Sequence, residues 1–115
     1  METILETLAA AARERTEKAK QYRSLDSVRR DAELLPKGDF RFENALRTDD
    51  IAFICECKKA SPSKGLIAPE FPYLQIAKEY EAAGADCISV LTEPTRFLGD
   101  DRYLAEIAAA VKIPC

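Results

Sequence analysis

Two short apolar runs, each followed by a polar loop and then a single amphipathic helix, constrain the fold of this 115-residue chain most strongly. The first run, "IAFICEC", covers residues 51–57, and the second, "DCISVLT", covers residues 86–92. Helical spacing predicts one helix over residues 73–83 and another after Asp100, before a third apolar run, "KIPC", begins. The last helix is expected to bury four apolar side chains: Leu104, Ile107, Ala108 and Val111. Strands that alternate with single helices predict parallel strands and right-handed crossovers, and therefore an α/β fold.

The residues before the first apolar run have a helical pattern. Apolar side chains recur at helical spacing over residues 4–22, and a second helix is predicted over residues 25–35. The run "FENALR" at 42–47 indicates one or two further helical turns. We therefore divide the chain into an N-terminal helical extension, residues 1–48, and an α/β part, residues 49–115.

Composition excludes several classes of function. The net charge of −3 argues against broad binding to nucleic acids or anionic membranes, which requires a basic surface. The chain has no histidine, so the commonest zinc sites are not expected, and no metal site is predicted. The four cysteines form no C-x-x-C pair and are interpreted as small buried residues in a reducing cytoplasm, although a C-x-C metal or redox site is the alternative. No segment indicates a signal peptide or a membrane span, which favours a cytoplasmic protein.

The end of the first predicted strand carries two opposite charges. Because side chains alternate along a strand, Ile54, Glu56 and Lys58 share one face, whereas Cys55 and Cys57 share the other, which helices should cover. Glu56 and Lys58 therefore lie at the carboxyl end of the strand, where parallel α/β folds place their active sites. A salt bridge with a purely structural role is the alternative interpretation, since such ion pairs are common.

The loops after the two strands add groups suited to an anionic and aromatic ligand. The first loop, "KASPSKG", offers hydroxyl groups, ammonium groups and flexible backbone that suit a phosphate or carboxylate, although such loops are often merely solvated. On the second strand, Ser89 and Leu91 share a face with Cys87. Phe97, in the loop that follows, either packs beneath its own loop or forms an apolar wall for a planar ligand.

Three runs together resemble the indole-3-glycerol phosphate synthase family of tryptophan biosynthesis: "FICECKKASPSKGLI", "IAKEYEAAGADCISVLTEPTRFLGD" and "YLAEIAAAVKIPC". The resemblance covers about residues 40–115, and the pattern E-x-K-x-x-S-P-S-K-G at 56–65 is highly specific. It implies a (β/α)₈ TIM barrel, of which this chain would hold about the first two and a half βα units after its helical extension. It also implies a carboxy-lyase that closes the indole ring of 1-(2-carboxyphenylamino)-1-deoxyribulose 5-phosphate, with loss of CO₂ and water and without a cofactor.

The resemblance also implies roles for individual residues. Glu56 and Lys58 match the acid and the lysine of the first strand and are the expected catalytic residues. Ser61 and Pro62 match loop residues near the anthranilate carboxylate, and Phe97 matches an aromatic residue beside the anthranilate ring. Ser89 and Leu91 complete the expected substrate-binding set, because the second strand repeats the geometry of the first.

This chain departs from the family pattern in two ways. The run "FPYLQ" stands where the family often has Asp-Pro, and the later strands that carry another catalytic lysine, a glutamate, an asparagine and the phosphate-binding glycines are absent from the 115 residues. We therefore expect a truncated enzyme that binds a phosphorylated small molecule only as part of a whole barrel, and that self-associates through its open sheet. The alternatives are a non-catalytic self-associating module and a related phosphosugar enzyme such as phosphoribosylanthranilate isomerase.

Overall fold

Two helices, α1 (Ile4–Tyr22) and α2 (Leu25–Leu34), make up most of the first of two units in the computed structural model, which describes residues 1–115. Thr3 caps α1 by accepting a hydrogen bond from the Glu6 amide, while the Glu6 carboxylate accepts one from the Thr3 amide. Ser24 caps α2 by accepting a hydrogen bond from the Ser27 amide. Both predicted helices are confirmed, and neither contains a buried residue.

The second unit, residues 40–115, contains the α/β part of the chain. Its elements are α3 (Arg41–Leu46), β1 (Ile54–Cys57), β2 (Ala60–Ser61), β3 (Gly65–Leu66), α4 (Tyr73–Ala82), β4 (Cys87–Val90) and α5 (Asp101–Ala110). β1 and β4 pair in parallel across the α4 crossover, which confirms the predicted β-α-β order. The sheet has two strands and does not close into a barrel.

The division between the two units falls at a different position from the one predicted between residues 48 and 49. The structure divides the chain between Asp39 and Phe40, so that α3 belongs to the α/β unit. The reason is local packing: α3 contacts β4, and the Cys87 thiol lies 3.8 Å from the Phe42 carbonyl oxygen. Arg41 also donates a hydrogen bond of 2.8 Å to the Lys112 carbonyl oxygen.

The third apolar run does not form the strand that the sequence predicts. Only one backbone hydrogen bond joins it to the sheet, from the Ile88 amide to the Pro114 carbonyl oxygen at 2.9 Å. A strand requires a series of such bonds, and a single bond does not make a ladder. The Glu81 carboxylate instead holds the start of this run by accepting from the amides of Lys112 and Ile113, at 2.6 and 3.0 Å.

The core lies between the sheet and the two crossover helices. Its buried members are Cys57, Ala77, Ile88, Ile107 and Val111. The prediction that α5 also buries Leu104 and Ala108 is wrong: both are exposed and line an open cavity of about 730 Å³. Arg41 and Phe42 of α3 also line this cavity, so the apolar stripe of α5 is only partly buried.

Replacing Ile107 by alanine should destabilise the α/β unit by about 2–5 kcal/mol, because the side chain is fully buried and its loss leaves a cavity. The free energy of unfolding from urea titration measures this effect. Leu104→Ala, on the same helix but 39% exposed, is the matched control and should cost less than about 1.5 kcal/mol. Equal losses for the two variants would contradict this description of the core.

None of the five helices combines the length and the apolar character that crossing a membrane requires.

Candidate active site

The carboxyl end of β1 carries an ion pair on the face of the sheet that the crossover helices leave open. The Lys58 ammonium lies 3.2 Å from a Glu56 carboxylate oxygen, and Glu56 is in register with Ser89 on β4. Ile54, on the same face, is 51% exposed, whereas Cys57 is 1% exposed and belongs to the core beneath the helices. The predicted division of β1 into a charged open face and a helix-covered cysteine face is confirmed.

On the cysteine face, the buried thiol of Cys57 has no reactive or metal-binding character. Cys55 lines a small cavity with Tyr80 of α4, whose hydroxyl donates a 2.9 Å hydrogen bond to the Glu56 carbonyl oxygen. Burial, together with the negative charge that Cys115, Cys55 and Glu56 can carry, raises the pKa of the Cys57 thiol to about 11. A thiol with that pKa stays protonated at neutral pH and is neither a nucleophile nor a ready metal ligand. All four cysteines are free, and no group of three His, Cys, Asp or Glu side chains could hold a metal ion.

The first predicted loop contains an antiparallel hairpin formed by β2 and β3. Ser61 is buried, and its hydroxyl oxygen accepts a 3.1 Å hydrogen bond from the Lys64 amide across the turn. Pro62 begins the turn, and Gly65, with φ of +65°, ends it in a conformation that side chains disfavour. The predicted loop thus contains a short hairpin, for which the Pro and Gly of "SPSKG" carry the signal.

The second loop, residues 93–99, is organised by a residue to which the sequence assigned no role. The carboxylate of Glu93 accepts hydrogen bonds from the amides of Thr95, Arg96 and Phe97 at 2.8, 2.7 and 3.0 Å, and from the Thr95 hydroxyl. Burial by itself would raise the pKa of Glu93, but these bonds outweigh it and lower that pKa to about 2. The sequence carries no signal for this role, because the three amides converge on the carboxylate only in the folded loop.

The end of the same loop packs closely against the residues that follow β4, where the loop begins. The Gly99 amide donates a 2.8 Å hydrogen bond to the Glu93 carbonyl oxygen. A Cβ atom at Gly99 would overlap the Leu91 carbonyl oxygen and lie 2.7 Å from the Thr92 Cα atom, so only glycine fits this approach. Leu91 and Phe97 are both partly buried at this point.

The two loops face each other across a cleft of about 240 Å³. Ser61 and Pro62 line it from the hairpin, and Thr95, Arg96 and Leu98 line it from the second loop. Arg96 is the one charged side chain among the lining residues, which suits a cleft that receives an anionic group. The structure thus brings two predicted binding residues to the loop that carries Phe97, but Phe97 itself does not line the cleft.

Comparison with known proteins assigns the family. The family profile of indole-3-glycerol phosphate synthase matches residues 5–115. The chain belongs to the indole-3-glycerol phosphate synthase family. The match begins well before residue 40, so it includes α2 and all of α1 except its first residue, Ile4.

Several relatives named indole-3-glycerol phosphate synthase resemble the chain over almost all of its length. Identity is 52% over 112 residues with the protein of Ruminiclostridium cellulolyticum and 54% over 112 residues with that of Endomicrobium trichonymphae. It is 44% over 114 residues with the protein of Lacticaseibacillus casei. Each alignment covers 96% of this chain and 43% of the relative, so the chain spans less than half the length of these relatives.

Proposed function

We propose that this chain provides the amino-terminal part of the active site of an indole-3-glycerol phosphate synthase, within the first βα units of a (β/α)₈ barrel. The reaction is the ring closure of 1-(2-carboxyphenylamino)-1-deoxyribulose 5-phosphate with loss of CO₂ and water. The observation that carries the proposal is the Glu56–Lys58 ion pair at the carboxyl end of β1, on the open face of the sheet, in a chain of this family.

Glu56 and Lys58 are the proposed catalytic residues. Ring closure removes an oxygen atom as water, and a positioned ammonium group such as that of Lys58 can donate the proton which that oxygen needs. The ammonium also attracts the carboxylate and phosphate of the substrate. Glu56, 3.2 Å away, pairs with the lysine and orients its ammonium group toward the open face.

The two loops supply the proposed substrate-binding residues. Ser61 uses its oxygen as an acceptor within the hairpin, so its hydroxyl proton is available for a substrate carboxylate, beside Pro62. Phe97, within the second loop, and Leu91, just before it in the chain, would contact the aromatic ring, since both side chains are apolar and partly buried. Ser89 offers a hydroxyl group opposite Glu56 in the sheet. No cofactor is required for this chemistry, and the four free cysteines favour a cytoplasmic setting.

The test is a hybrid protein, in which residues 1–115 are joined to the part of the Ruminiclostridium cellulolyticum relative that follows the aligned region. Formation of indole-3-glycerol phosphate by the hybrid protein, measured by fluorescence, would support the proposal. A folded hybrid protein without turnover would refute it.

A second candidate function, a self-associating module without catalysis, is favoured by exposed apolar residues at the start of β1 and just before it. Ile51, Phe53 and Ile54 are 74%, 59% and 51% exposed, and the sheet edge beside them is unpaired. Apolar strand edges of this kind pair with other chains. We expect residues 1–115 to form dimers or larger species in sedimentation experiments.

Ile54→Lys should weaken this association at least about tenfold, because it places a charge in the contact. Leu5→Lys, at a 74% exposed position of α1, should leave the association unchanged. A protein that sediments as a monomer at every accessible concentration would exclude the module.

A further inference from the structure

We infer that Glu93 is a positioning residue for aromatic substrate recognition: its carboxylate fixes the backbone of the 93–99 loop, and thereby the orientation of the Phe97 ring. The inference rests on the proposed function, which supplies the aromatic substrate. It goes beyond that function because Glu93 is neither one of the proposed catalytic residues nor one of the residues that line the cleft.

The geometry is that of a clamp which uses both carboxylate oxygens. One oxygen accepts from the Thr95 amide at 2.8 Å and from the Thr95 hydroxyl. The other accepts from the amides of Arg96 and Phe97 at 2.7 and 3.0 Å. The last of these bonds holds the backbone of Phe97 itself, so the clamp acts directly on the residue that carries the ring.

The loop needs such a clamp because its backbone is held in unfavourable conformations. Leu98 has a φ of +51°, in the left-handed region that residues other than glycine rarely adopt. Gly99 then approaches Leu91 and Thr92 so closely that a side chain would not fit. No strand pairing contributes within the loop, and the Glu93 carbonyl accepts the bond from Gly99 that closes its base. Glu93 therefore stabilises the loop through hydrogen bonds of both its side chain and its backbone.

Ionisation makes the clamp fully effective at neutral pH. The four hydrogen bonds overcome the opposing effect of burial and lower the pKa of Glu93 to about 2, so the side chain is a full acceptor at neutral pH. Because the pKa in the folded state lies below the ordinary value of 4.5, the stabilisation is complete above that value and is lost as the pH falls toward 2.

Glu93→Gln is the sharpest variant, because glutamine keeps the size of the side chain and replaces one acceptor oxygen by a donor. That NH₂ group would face amide donors, so about half of the clamp is lost and a donor–donor contact is added. Glu79→Gln, the same chemical change at an exposed position of α4, is the matched control.

The first measurement is amide hydrogen exchange by NMR on residues 1–115. Glu93→Gln should speed exchange at Thr95, Arg96 and Phe97 by at least about tenfold, because bonds to a charged acceptor are lost. The Ile88 amide in the sheet and all amides of Glu79→Gln should exchange as in the parent. Unchanged exchange at the three loop amides would overturn the inference.

The second measurement is a double-mutant cycle in the hybrid protein. Glu93→Gln should raise KM about tenfold with a smaller change in kcat, since it disturbs ring placement and leaves Lys58 intact. Phe97→Ala should have an equal or larger effect on kcat/KM. If Glu93 acts through Phe97, the double variant loses no more kcat/KM than Phe97→Ala alone.

The outcomes separate the inference from the proposed function. If the losses in kcat/KM of the two single variants multiply in the double variant, the inference is overturned. Turnover by the parent hybrid protein would still uphold the proposed function in that case. A parent without turnover would refute the function, and the exchange experiment would still decide whether Glu93 fixes the loop.

Discussion

Replacing Lys58 by alanine in the hybrid protein is expected to lower kcat by about 10²–10⁴-fold, the usual cost of removing one acid–base group. The reason is that the change removes the ammonium group from the open face and leaves Glu56, 3.2 Å away in the parent, without its partner. The Glu56 carboxylate would then repel the anionic substrate instead of orienting a proton donor. Steady-state rates of indole-3-glycerol phosphate formation measure the effect.

Lys59→Ala is the matched control for this prediction. Lys59 follows Lys58 directly, and its backbone carbonyl oxygen accepts hydrogen bonds from the amides of Ile67 and Ala68 at 2.8 and 3.1 Å. Because these bonds involve only the backbone of residue 59, alanine at this position keeps them. The control removes the same charge from the same loop, so it separates general attraction of an anion from the specific role of Lys58. We expect its kcat to stay within about threefold of the parent, as for a charge outside the chemistry. A Lys58 variant as active as the Lys59 variant would show that the proposed proton donor is wrong.

The part of the site that follows from local periodicity was predictable from the sequence. Alternation along β1 places Glu56 and Lys58 on one face and Cys57 on the other without any knowledge of the tertiary fold, and the structure agrees. The same holds for the helices, whose caps at Thr3, Ser24 and Asp100 are local hydrogen bonds. These features depend on neighbours within a few residues.

The features that the sequence did not predict depend on the tertiary arrangement of the chain. Leu104 and Ala108 have helical spacing that suits a core, but both are exposed and line an open cavity. The clamp of Glu93 arises because the loop folds back until three amides converge on one carboxylate, and the spacing of residues does not reveal that convergence. The third apolar run looks like a strand, yet strand formation requires more pairing than its one bond to Ile88.

A protein that consists of residues 1–115 alone should show no detectable synthase activity, whereas the hybrid protein should be active. The chain spans 43% of the Ruminiclostridium cellulolyticum relative, and the family's second catalytic lysine and phosphate-binding glycines are not among its residues. Loss of each acid–base group commonly costs about 10²–10⁴-fold, and loss of the phosphate anchor adds to it through poorer orientation. The matching part of the relative, expressed alone, is the control and should be equally inactive.

Solvent exposure gives an independent reason for the same result. In the two-stranded sheet, the side chains of Lys58 and Glu56 are 33% and 41% exposed, so water reaches the ion pair on the open face. The attraction between charges about 4 Å apart is near 1 kcal/mol in bulk water and several times larger at a protein surface of lower dielectric constant. Barrel closure in the hybrid protein would exclude that water and strengthen every interaction of Lys58 with the developing charge of the substrate. Turnover by residues 1–115 alone, abolished by Lys58→Ala, would mean that the open sheet suffices and that closure contributes little to catalysis.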